Sequence, residues 1–121
     1  MYPIPANFDL SPLIDEEIGN ITLGPYFIMF TFTNDWLIRC EGRVEMRNSE
    51  KEVLIHEETA QNLNEIKNVF LRKVTDWRKV SEHIFEIQFG SDYLLRFTDN
   101  TPQYESFEIE TNLPEPKGWL I

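Results

Sequence analysis

The stretch FTNDWLIRC, Phe32 to Cys40, returns 57 residues later as FGSDYLLRF, Phe89 to Phe97. Phe, Asp, Leu and Arg recur in place, while Trp36 becomes Tyr93 and Ile38 becomes Leu95. Such a repeat constrains the fold strongly, because two copies of one local structure must pack around a common core or build two. The match runs backward without a gap, so that Leu23 to Phe32 lies over Val80 to Phe89. Forward of it, the second copy carries about six extra residues, Thr98 to Gln103, rich in turn formers, before Arg43-Val-Glu-Met46 realigns with Ser106-Phe-Glu-Ile109.

Within each copy, alternation points to strands. Phe30 and Phe32 flank Thr31, and Phe85, Ile87 and Phe89 flank Glu86 and Gln88, the period of a sheet with one buried face. Asn34-Asp35 and Ser91-Asp92 supply turns, and Trp36–Cys40 and Tyr93–Phe97 return as partner strands. Ile18–Thr22 and Val74–Val80 read as strands entering the two meanders, with Val53–Ile55 a short strand between the copies. Two helices are also expected. Ser11-Pro12 suits the start of a short one ending near Glu17, and Glu58 to Arg72 places Ala60, Leu63, Ile66 and Phe70 on one face with acids early and bases late. The expected fold is therefore α+β and β-rich, two pseudo-repeated helix-plus-β-meander units around one core. All of 1–121 forms a single domain, with unit one about 10–47, unit two about 58–110 and a tail at 111–121.

The net charge of −10 is unevenly spread. Glu82 to Glu115 holds eight acids against Arg96 alone, Met1 to Gly24 has four acids and no base, and Lys67 to Lys79 has five bases against Asp76. Acidity of this kind repels phosphate backbones and attracts basic surfaces, which argues against direct nucleic-acid binding and for a basic partner. One cysteine, Cys40, forms no internal disulfide and suits a reducing compartment. The opening MYPIPANFDL lacks the basic and apolar regions of a signal peptide, and no window approaches the ~18 apolar residues of a membrane span. A cytoplasmic chain without membrane contact is expected.

LIDEEIGNITLGPYFIMFTF, together with DNTPQYESFEIE near the end, resembles a family of small bacterial proteins whose closing strands carry a YES-type motif. The likeness covers roughly Phe8 to Ile109, and Tyr104-Glu105-Ser106-Phe107 is its most specific part. Some of these proteins look like immunity proteins of contact-dependent or secreted toxin systems. The resemblance thus implies a toxin-neutralising role and brings no catalytic residues with it.

Catalytic patterns are missing from the residues themselves. His56 and His83 stand apart from any metal-ligand spacing and read as surface or edge histidines, Cys40 reads as a structural thiol, and no nucleophile elbow or phosphate loop occurs among five glycines. No enzyme activity, cofactor or metal is expected. For a partner surface the candidates are Glu105, Glu108 and Glu110, alternating on one strand, with Tyr104 as an aromatic anchor and Asp99 beside them. Asp15, Glu16 and Glu17 form the alternative acidic group. The expected function is an immunity protein that binds a cognate basic toxin domain, such as a nuclease. A small-molecule-binding or adaptor domain is the competing reading.

Overall fold

The structure, a computed structural model, describes residues 3–57, 60–101 and 105–121. Eleven strands are defined among them: β1 Ile18–Leu23, β2 Ile28–Phe32, β3 Leu37–Cys40, β4 Arg43–Arg47, β5 Glu52–Glu57, β6 Ala60–Gln61, β7 Asp76–Ser81, β8 Ile84–Phe89, β9 Tyr93–Thr98, β10 Phe107–Glu110 and β11 Gly118–Leu120. They form two antiparallel sheets, ordered β1-β2-β3-β10-β11 and β6-β5-β4-β9-β8-β7.

The expected meanders are present as β1-β2-β3 and β7-β8-β9. Asp35 and Asp92 lie in the hairpin turns, with Asp35 in the left-handed region at φ 72°. Burial tracks the repeat. Phe30 and Ile87, Phe32 and Phe89, Ile38 and Leu95, and Cys40 and Phe97 are all buried, while Leu37 and Leu94 are both half-buried.

Beyond the meanders, the two units exchange strands. β4, the fourth strand of unit one, pairs with β9 of unit two, whereas β10, the fourth strand of unit two, pairs with β3 of unit one. The registers match: Val44↔Phe97, Glu45↔Arg96 and Met46↔Leu95 in one sheet correspond to Phe107↔Cys40, Glu108↔Arg39 and Ile109↔Ile38 in the other. β5 then extends β4 as β11 extends β10. Each sheet thus takes a three-stranded meander from one unit and two equivalent strands from the other, and the six-stranded sheet adds β6 at its edge. Gly42 stands at this crossing, where a Cβ would meet Ser106 Cβ at 2.8 Å and the Thr98 carbonyl at 3.0 Å. Both Glu41 and Gly42 donate their backbone N–H to the Ser106 carbonyl.

The inner faces meet in one core. Phe85 and Phe97 stack at 4.6 Å in one sheet, and Phe107 of the other sheet packs edge-on against both, at 5.5 and 5.7 Å. Phe8 seals one side by packing on Trp77, Phe85 and Trp119, which brings β7 and β11 together around the N-terminal segment.

The α+β expectation is overturned: the described chain is almost entirely β, and its only helical pieces are single 3-10 turns at Ser11–Leu13 and Ile66–Asn68. The longer helix was expected over 58–72; of that span the described residues, 60–72, instead form β6, a loop and the second of these turns. An asparagine explains part of this. The Asn62 side chain accepts the Asn64 N–H, a local bond to the backbone that competes with helical ones, while the Asn68 amide donates to the Glu65 side chain. Leu71 then adopts a left-handed φ of 62°, which no α-helix accommodates. The apolar stripe divides as well, for Ile66 is buried and Phe70 half-buried while Leu63 is exposed. Near the N-terminus, Asp9 accepts the Ser11 N–H and Asp15 takes φ 72°, so that helix stops after one turn.

Candidate functional site

The two sheets turn chemically different outer faces to solvent. On the six-stranded sheet, Glu86 of β8 is buried and accepts hydrogen bonds from Arg78 Nε at 2.5 Å and Arg96 Nε at 2.8 Å. Arg43 binds Glu45 at 3.3 Å and Glu57 at 2.8 Å, and Arg47 binds Glu52 at 3.2 Å. Four arginines therefore meet four glutamates. Burial pushes the Glu45 carboxyl up, aided by its hydrogen bond to Glu52, whose own carboxyl is lowered by that bond. Every arginine of this group is thus ion-paired, and the face largely neutralises itself.

The equivalent face of the five-stranded sheet has lost those partners. Met29 occupies the place of Glu86, Thr22 that of Arg78, and Glu110 that of Arg47. Arg39, directly across from Glu108, directs its guanidinium elsewhere, to Glu41 at 3.1 Å and over the Phe27 ring at 4.2 Å. Among the described residues, Glu105, Glu108 and Glu110 enter no ion pair. Glu108 and Glu110 line an open groove of about 680 Å³ along β10 and β11 that also includes Leu113, Lys117, Trp119 and Leu120. A second hollow adjoins it, where Glu41, Glu105 and Glu108 surround Arg39. Leu113 and Leu120 are exposed beside the carboxylates, so the groove offers apolar contact within an acidic rim.

One of the sequence candidates is corrected here. Asp99 is not a surface residue: its side chain is fully buried, accepting Ser106 Oγ at 2.5 Å and lying 3.1 Å from His83 Nδ1. Ser106 of the YES-type motif is fully buried too, and its hydroxyl also meets the Thr101 N–H and hydroxyl. The motif's Ser is thus a clamp that closes the inserted loop onto the strand crossing. Removing it with Ser106→Ala should cost about 2 kcal/mol by leaving a buried Asp99 carboxylate oxygen short of a donor. Denaturant unfolding of the variant checks this. Tyr104 lies outside the described residues.

Of the alternative acidic group, Asp15 is exposed, but Glu16 accepts the Thr33 hydroxyl and Glu17 forms a β-bridge with basic Lys73. Those acids sit beside the basic segment, which weakens them as a docking charge. That segment continues into β7 on the opposite sheet from β10.

The histidine expectation is corrected for His56, which is fully buried with Nδ1 against the Gly42 carbonyl at 3.0 Å. Cys40 is buried, and burial pushes its thiol well above the ordinary value, which keeps it protonated and unreactive. Among the described residues no helix is long and apolar enough to cross a membrane. Comparisons of the chain with protein-family models, with curated proteins and with solved structures found no match.

Proposed function

We propose that this chain is a binding protein of the immunity type, which docks a basic toxin domain on its β10–β11 face and so blocks the toxin's active site. The observation that carries this reading is the contrast between two equivalent faces: one has its carboxylates matched by arginines, the other keeps Glu105, Glu108 and Glu110 unmatched beside an apolar groove. Unpaired surface carboxylates raise solubility wherever they lie, but placed around a groove with exposed leucines they have the composition of an interface rim. A nuclease binds phosphates with cations, and carboxylates presented in the same geometry compete for those cations.

Co-expression with the product of the gene immediately upstream, followed by pull-down and growth measurement, tests the reading, and the absence of a toxic domain there would reject it. The wild-type chain should restore growth and co-purify with that domain. The variant Glu105→Gln/Glu108→Gln/Glu110→Gln should associate about tenfold more slowly at low salt, with a smaller change in dissociation. Failure of the wild-type chain to bind or protect would reject the function. Full-rate binding by the triple variant would reject the face.

A further inference from the structure

Four strands edge the two sheets, β1 and β11 in one and β6 and β7 in the other. An edge strand presents unpaired backbone groups to any extended chain, and proteins blunt such edges with bulges, charges or shortness. β1 and β7 both break register, at Ile18/Asn20 and at Lys79/Ser81, and β7 also carries Arg78 and Lys79. β6 has two residues. β11 keeps an unbroken register with β10 and is uncharged from Gly118 to Leu120, and backbone bonds at Lys117 and Ile121 continue the ladder on both sides.

Phe107 and Ile121 exchange both backbone hydrogen bonds, at 2.9 Å each. In the alternation of an antiparallel ladder, Trp119 then also faces β10, while the N–H and C=O of Gly118 and Leu120 point to the free side. No backbone group of the described residues bonds them there.

We infer that this edge captures an extended segment of the partner by antiparallel strand addition, and that the segment reads Leu-x-Lys or its like, an apolar residue opposite Leu120 and a cation opposite Gly118. Both preferences come from the groove. Glu110 stands directly across from Gly118, and Glu108 across from Leu120. Since glycine has no side chain, nothing separates the free edge from the Glu110 carboxylate. Two strand spacings are about 9.6 Å, a distance that a Lys or Arg reaching inward and a Glu reaching outward span together. Leu120, 50% exposed, supplies the apolar contact one alternation away. Glycine is required at 118 by the fold itself, for a Cβ there would lie 2.1 Å from the Ile109 carbonyl oxygen. This inference rests on the β10–β11 face being the partner-binding one, and adds that backbone pairing does the docking.

The test uses the full chain and a short capped peptide carrying Leu-Thr-Lys, alongside the same peptide N-methylated at its Leu and Lys nitrogens. Amide exchange at Gly118 and Leu120 should slow when the first peptide binds, and the methylated peptide should bind at least about tenfold more weakly. Leu120→Pro should weaken binding to a similar extent, because it removes an outward donor and spares the bonds to β10. If that variant unfolds, the methylated peptide on the wild-type chain still decides. Equal binding of the two peptides, or unchanged exchange at Gly118 and Leu120, would overturn strand addition. Glu108→Gln/Glu110→Gln separates the two readings. Loss of toxin-domain binding in this variant, with full binding by Leu120→Pro, keeps the acidic face and removes the strand. The opposite pattern keeps the strand and removes the acidic face.

Discussion

Phe97→Ala should lower the unfolding free energy by about 3 to 5 kcal/mol, the cost of emptying a large site in a close-packed core. Phe97 is fully buried, stacks on Phe85 at 4.6 Å and meets Phe30 and Phe107 edge-on, so its ring touches both sheets. On its own sheet it pairs across to Val44 on one side and to Phe85 on the other. The loss therefore falls on both units at once. Because each sheet contains strands of both, unfolding should remain a single cooperative transition, with the denaturant midpoint lowered and the slope unchanged. Two separated transitions, one for each unit, would contradict the exchange of β4 and β10.

Glu86→Gln should cost about 1 to 2 kcal/mol at neutral pH, since it removes the buried charge that two arginines share while solvent still reaches Arg78. Burial works to raise the Glu86 carboxyl, but the hydrogen bonds and charges of Arg96 and Arg78 together outweigh it and hold its pKa below the ordinary 4.5. A carboxylate with a lowered native pKa binds its proton more tightly in the unfolded chain. Its contribution is therefore whole above pH 4.5 and is lost as the pH falls through the native value. The difference between wild type and Glu86→Gln should shrink accordingly in acid. Glu45 behaves in the opposite sense, for its raised native pKa favours the folded state at low pH and works against it as the pH rises through that value. Chemical denaturation of Glu86→Gln and Glu45→Gln across the acid range distinguishes the two signs.

Much of the β architecture was legible because it is local. The alternation of Phe30 and Phe32, and of Phe85, Ile87 and Phe89, locates strands by the periodicity of one buried face, and the aspartates at 35 and 92 mark the turns. The helix expected over 58–72 went wrong because an apolar spacing of three and four residues says nothing about whether a side chain such as that of Asn62 will bond the backbone instead, or whether Leu71 will turn left-handed. Strand exchange had a trace in the sequence, the realignment of Arg43–Met46 with Ser106–Ile109, but which strand each would pair with is a long-range fact that no local pattern carries.

The candidate face was read in part for the same reason. Glu108 and Glu110 alternate on one strand and share its outer side, as their spacing implies. Counting charge along the chain overstated the acidity, since Glu86 is matched by Arg78 from β7 and by Arg96 from β9, and Asp99 is held inside by Ser106 and His83. Burial and cross-strand pairing remove these two from the surface, and neither is visible in composition. Gly118 was passed over entirely. Its only sequence signal is a glycine two residues from the end of an apolar strand, and its meaning comes from the carbonyl it abuts.

The most direct measurement compares two charge-matched variants in their association rate with the proposed toxin partner as salt is varied. One is Glu105→Gln/Glu108→Gln/Glu110→Gln, and the other is Glu50→Gln/Glu82→Gln/Asp92→Asn, which removes the same charge from exposed positions elsewhere. Exposed charges are screened within about 10 Å at 0.1 M salt, so steering by a local face depends on where the charge sits and not only on the total. The first variant should associate about tenfold more slowly at low salt and lose most of the salt dependence, while the second should stay near the wild-type rate. Equal slowing of both variants would show that net charge alone attracts the partner and would contradict a docking face on β10 and β11.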